Sequence, residues 1–408
     1  MVDGGTRGRW NEGTVLAFHT GCGECMSKKY GMVYFNNFTN EDIVWALLAL
    51  GKDADIVDTQ LSRESTSEQD SETLAMKLRE KNIDVAVTYD FAPALSDACM
   101  KLGIPYISWI FDAPIQMLYE KQIHNNCNYI FSFDKKQLRD LQERGVKNAY
   151  YMPLGTNLMR NSAIEMTGAD AKRFGCEVSF IGSLYSENAY GQAMNLVPPE
   201  TVSEFEWRIQ DVFGKWDGED RLYGKLSENT IGDIKRVFGN NTAMDDDVLF
   251  TTALLVKHIA TLERNEMLQR LSKHDLQFYT SDSGVQIPGV RAMGPIDYIE
   301  ELPKAYHFSK INMNITMRGI TSGIPLRVFD IMGMGGFMLT NFQSEVSELF
   351  SPGKDIEVYH DFDEMEEKVD FYLSHEEERR KIADRGLKTI KGNYTVEKQV
   401  AKMLEIIG

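Results

Sequence analysis

Residues 322–341 read SGIPLRVFDIMGMGGFMLTN. The stretch divides into a loop, a short helix and a buried strand. Pro325 suits a first helical turn, where its missing N–H is not needed. Gly335 and Gly336 end the helix, and Phe337, Met338 and Leu339 form an apolar strand. Arg327 is out of place in this reading. It falls in the first turn, at the positive end of the helix dipole, where a cation is disfavoured. Asp330 follows on the same face, and acid after base is the weaker order for a helix ion pair. An anion bound near the helix start would remove the penalty on Arg327.

Working outward, the same alternation of apolar runs and amphipathic stretches fills the chain. In the first half, TVLAFHT, ADIVD, DVAVTYD, YISWIF and YIFSF read as strands. TNEDIVWALLALG and DKKQLRDLQERG read as helices with a cap and a glycine stop. In the second half EVSFIGSLY, LQFYTSD, KINMNIT and GGFMLTN read as strands, and three helices are expected over 361–374, 376–391 and 396–407. Such alternation predicts α/β folding with parallel sheets covered on both faces. The expected division is a flexible tail over 1–13, an N-terminal unit over 14–155 and a linker over 156–175. A C-terminal unit over 176–392 follows, with a helical insertion near 186–262, and then a final helix over 393–408.

At 408 residues the chain exceeds one ordinary core and fits two domains. Hydrophobic content of 43% with 26% charged residues describes a soluble globular protein. A net charge of −17 argues against tracking nucleic-acid phosphates or docking on anionic lipid. No apolar run approaches a membrane span, and the N-terminus lacks the apolar core of a signal peptide. Five scattered cysteines are most simply free thiols in a reducing cytoplasm.

Ligands of doubly wound sheets bind at the carboxyl ends of the strands. In the second half those ends carry Gly182 and Ser183, Thr280, and Asn314 and Thr316 with Arg318 just beyond; Arg327 and Asp330 lie in the next helix. A glycine there lets backbone approach a phosphate, arginines neutralise it, and a carboxylate accepts ribose hydroxyls. Together they describe a pocket for a nucleoside diphosphate. Singly, Gly182 is also an ordinary turn, and Arg327 with Asp330 an exposed pair of little energetic weight. In the first half Asp112, in WIFDAP, is either a helix cap or a carboxylate at the cleft edge; Asp90, in TYDFAP, is a weaker parallel. His19 is a catalytic candidate or a satisfied structural residue. With Cys22 and Cys25 it has metal-like spacing, but a structural zinc site needs four ligands, so no metal is expected.

The segments YISWIFDAP, YIFSFDKKQLRDLQERGVKNAYYMPLGTN and VSFIGSLYSEN, with SKINMNIT through SGIPLRVFDIMGMGGFMLTN to EEERRKIADRG, resemble the CgeB-type glycosyltransferases of bacteria. The resemblance implies a GT-B fold: two Rossmann-like domains facing across a cleft. The C-terminal one binds a nucleotide-sugar donor, the N-terminal one binds the acceptor, and the last helix crosses back. Related retaining enzymes carry two acids separated by seven residues in this loop-helix. The later position matches Asp330, as ribose ligand; the earlier is Ser322. The implied activity is transfer from a nucleotide diphosphate sugar, a UDP-sugar being favoured, to a hydroxyl of a protein or polysaccharide, with no obligatory metal. Asp112 would orient or deprotonate the acceptor. A degenerate GT-B assembly protein of the spore or cell surface, with Ser322 in its favour, and a nucleotide-sugar epimerase are the alternatives.

Overall fold

The computed structural model describes residues 28–35 and 40–408. The chain builds two sheets of six parallel strands each. The first contains β1 (Lys29–Tyr34), β2 (Asp53–Asp58), β3 (Val85–Tyr89), β4 (Tyr106–Ile110), β5 (Asn128–Ser132) and β6 (Ala149–Tyr151), in the order 2-1-3-4-5-6. The second contains β7 (Cys176–Ile181), β8 (Leu276–Tyr279), β9 (Val290–Gly294), β10 (Ser309–Asn314), β11 (Met338–Asn341) and β12 (Glu357–Tyr359), in the order 12-11-10-7-8-9.

Strands buried on both faces are apolar throughout rather than alternating. In β3, Val85, Val87 and Tyr89 join one core while Ala86 joins another. Register is plain: Trp109 of β4 lies opposite Tyr89 of β3 and Phe131 of β5. In each sheet the chain first winds outward and then returns to the other side. The reversal falls between β1 and β3 in the first sheet and between β7 and β10 in the second. Those two gaps are where this architecture places ligands.

One core cluster runs through both halves, joining Met32, Val87 and Trp109 to Ile181, Val328 and Phe329. The helix Val396–Ile407 packs on the helix Asn40–Ala49, with Val400 and Met403 meeting Ile43, Ala46 and Leu47. The chain ahead of that helix also bonds to the segment after β6: Thr156 N–H donates to the Tyr394 carbonyl at 3.1 Å, and Val396 N–H donates to the Thr156 carbonyl at 3.2 Å. A separate cluster, including Phe205, Ile234 and Phe250, fills the helices between β7 and β8.

Four strands were not expected from sequence: β1, β6, β9 and β12. The last three are edge or near-edge strands of three to five residues, too short for a periodic signal. β1 opens on lysine and contains Gly31, which argues against a strand by propensity. Its burial between β2 and β3 overrides that, and an added Cβ at Gly31 would meet Ile83 at 2.8 Å. The expected strand TVLAFHT lies outside the described residues. No helix among the described residues is long and apolar enough to cross a membrane.

Candidate functional site

The carboxyl ends of the two sheets face each other across a cavity of about 690 Å³. Its first-sheet wall carries Phe35, Arg63, Asp90 and Asp112; its second-sheet wall carries Tyr185, Arg264, Asn314, Thr316 and Arg327. Each switch point therefore opens into it.

Arg327 stands in the first turn of the helix Leu326–Gly333, with Pro325 as the cap residue. Its Nη1 donates to Asn314 Oδ1 at 2.7 Å. Asn314, at the end of β10, is fixed in turn because its Nδ2 donates to Thr316 Oγ1 and Thr340 Oγ1, both at 2.9 Å. The guanidinium lies 5.8 Å from the Phe180 ring centre. Gly182 makes the space: a Cβ there would stand 2.9 Å from Arg327 Nη2.

Arg264 was not anticipated. It reaches the same place from the helix Lys257–Leu271 and is 3% exposed. It donates to the carbonyls of Ser183 and of Ile315, the latter at 3.1 Å, and its Nε has no partner. It lies 5.5 Å from Phe180 and 4.9 Å from Tyr185. Burial, and then the charge of Arg327, bring its pKa down to about 10. Neither arginine has a carboxylate within 4 Å among the described residues. Two cations held together with no carboxylate within 4 Å among the described residues attract an anion.

Across the cleft, Asp90 follows β3 in the left-handed region at φ +53°, which aspartate tolerates. It is 2% exposed. Its Oδ1 accepts the Phe111 N–H at 2.8 Å and the Asp112 N–H at 3.3 Å, and its Oδ2 accepts Arg63 Nη1 at 2.8 Å. Burial, then repulsion from Asp112, push its pKa up to about 6 against the pull of Arg63. Asp112 is open to the cleft, and the desolvating walls raise its pKa while Arg63 opposes. It does not cap a regular helix; Asp90 instead pins its backbone.

Several sequence-predicted residues fall elsewhere. Arg318 points away from the cavity into the inserted helices. Its Nη2 donates to Glu263 Oε1 at 2.6 Å and to the Val212 carbonyl at 2.7 Å, its Nη1 donates to the Lys215 carbonyl at 2.8 Å, and it lies over Trp216. Asp330 does not line the cavity and is not paired with Arg327. It is buried, accepts Thr156 Oγ1 at 2.6 Å and the Tyr298 hydroxyl at 3.1 Å, and burial pushes its pKa up to about 6. Each oxygen of this carboxylate already accepts one hydroxyl, so the expected ribose contact would have to use their remaining lone pairs. Ser183 Oγ donates to Asp282 at 2.8 Å, and Thr280 Oγ1 accepts the Asp282 N–H at 3.0 Å. These residues shape the loops behind the arginines rather than the cavity surface. His19, with Cys22 and Cys25, lies outside the described residues.

Ser322 is also away from the cavity. Its N–H and that of Gly323 donate to Asp134 Oδ2 at 2.9 and 3.0 Å, and its hydroxyl donates to Glu345 Oε1 at 2.7 Å. Asp134 simultaneously caps the helix Lys135–Glu143. Ser322 therefore ties the second half to the first.

Comparison with known proteins agrees with this architecture. A family model described as glycosyl transferase-like matches residues 259–405. Spore protein CgeB of Bacillus subtilis (strain 168) is 32% identical over 110 residues, which are 27% of this chain and 32% of that protein. Thus the chain covers about a third of that relative's length. Among solved structures, a glycosyltransferase from Rickettsia africae ESF-5 superposes with a TM-score of 0.53 at 12% identity, covering 93% of this chain and 98% of the other. A UDP-forming trehalose-phosphate synthase from Burkholderia xenovorans gives 0.54 at 12%, covering 94% and 99%. Anabaena HepE, in complex with UDP-glucose, gives 0.51 at 8%, covering 93% and 99%. With two parallel six-stranded sheets, the chain has the two-domain α/β fold of these GT-B structures, and its residues 259–405 are similar to the glycosyl transferase-like family.

Proposed function

We propose that the chain transfers a sugar from a nucleoside diphosphate sugar to a hydroxyl of a protein or polysaccharide. The observation that carries this reading is the couple Arg264 and Arg327, with no carboxylate within 4 Å among the described residues, facing Asp112 across one cavity. In the reaction the bond between the anomeric carbon and the β-phosphate oxygen breaks. A bond from that carbon to the acceptor oxygen forms, and the nucleoside diphosphate leaves. Charge develops on the leaving oxygen, where the two guanidinium groups are already held and need little reorganisation. The acceptor proton passes to Asp112 and then to solvent. The raised pKa of Asp112 brings it closer to the operating pH, which favours a general base. Asp90 holds the Asp112 backbone, and Asn314 and Gly182 hold Arg327.

A UDP-sugar is the favoured donor, in keeping with the UDP-glucose held by HepE and the UDP formed by the Burkholderia enzyme. Ser322 offers no argument for a degenerate assembly protein, since its place is a contact between the halves. Calorimetric titration with UDP, GDP, dTDP and CDP and their sugars, followed by product analysis with the donor that binds, tests the reading. Binding with transfer or hydrolysis supports it. A folded protein that binds none, or one that only epimerises the bound sugar, overturns it.

A further inference from the structure

The two walls of the cavity differ in charge once their internal pairs are counted. On the second-sheet wall Arg264 and Arg327 carry no carboxylate partner among the described residues. On the first-sheet wall Arg63 is committed to Asp90 at 2.8 Å. Asp112 and the exposed Glu64 are left there without a cation within 4 Å among the described residues. Residues 36–39, Asn-Asn-Phe-Thr, which follow Phe35 in the chain, contain no charged side chain.

A bound diphosphate would neutralise the arginine wall. The second substrate then meets a wall on which Asp112 and Glu64 outweigh the Arg63–Asp90 pair, so its net charge is negative. Hydroxyl groups donate readily to carboxylates, and an ammonium group pairs with them. A phosphate or carboxylate on the acceptor would be repelled by Asp112 and Glu64, and the cation of that wall, Arg63, is already paired with Asp90. We propose that the acceptor is a neutral or amine-bearing hydroxyl compound, and that the cavity discriminates against phosphorylated and carboxylated acceptors. This inference rests on the transfer reading above and specifies its acceptor class.

The test is a two-stage calorimetric titration of the full chain. UDP is added first, and the UDP-saturated protein is then titrated separately with glucosamine and with glucose 6-phosphate. The expected result is at least tenfold tighter binding of glucosamine. In Glu64→Lys the ratio should shrink several-fold towards glucose 6-phosphate. Equal affinities, a preference for the phosphosugar, or binding of neither probe to the UDP complex would overturn the inference. Absence of UDP binding in the first stage would instead overturn the transfer reading beneath it.

Discussion

The second-sheet wall of the cavity is assembled from distant pieces. Gly182, Arg264, Asn314 and Arg327 come from four different elements and converge around the Phe180 ring. The first-sheet wall is nearly local, with Asp90 at the end of β3 and Asp112 after β4, the neighbouring strand. One wall is cationic and supported by neutral amide and hydroxyl partners. The other is anionic, with the buried Asp90 carboxylate holding the backbone of the exposed Asp112. In the proposed reaction, leaving-group charge falls to one wall and proton transfer to the other, and each wall can be broken separately.

The largest effect is expected at Asp112. Asp112→Asn should lower transfer about 10²–10⁴-fold, the usual range for general base catalysis, while UDP affinity stays unchanged. Steady-state kinetics beside calorimetry would show the split. Next is Arg318→Ala, which leaves Glu263 buried and unpaired, a loss of about 3–5 kcal/mol by denaturant unfolding. Because Arg318 lies outside the cavity, UDP affinity of the folded variant should hold within about twofold; a deep loss of UDP affinity would return Arg318 to the site.

A pH effect of intermediate size belongs to Asp330. Its carboxyl titrates near 4 in the unfolded chain and at about 6 when folded, so folding takes up a proton between those values. Its contribution to stability therefore falls as pH rises through that window, by up to about 1.4 kcal/mol per pH unit. Asp330→Asn should flatten that slope in melting curves taken from pH 4 to 6. Asp90 contributes in the same direction. The smallest effect is Gly182→Ala. Its Cβ meets the end of the Arg327 side chain at 2.9 Å and φ there is +159°, so a shift of Arg327 at a cost of about 1 kcal/mol in UDP binding is expected, together with a lowered melting temperature.

The doubly wound architecture was legible because buried parallel strands are short apolar runs and their helices carry cap and stop residues. Arg327 stood out because its charge opposed the helix dipole. Asn314, Gly182 and Asp112 could be placed because strand ends are readable. Side-chain direction was not: Arg318 and Asp330 sit at plausible positions but turn towards Glu263 and Thr156, which are far away in the sequence. Arg264 carries a signal of its own. It falls on the stripe of Ala260, Met267, Leu268 and Leu271, the buried face of its helix, where a charged residue needs a reason. Arg63 lies in an irregular loop and had none.

The most direct measurement compares UDP and uridine binding in the wild type and in Arg327→Ala. The account predicts that UDP affinity falls by about 1–3 kcal/mol in the variant while uridine affinity does not change. Unaltered UDP affinity in a folded Arg327→Ala protein would contradict it.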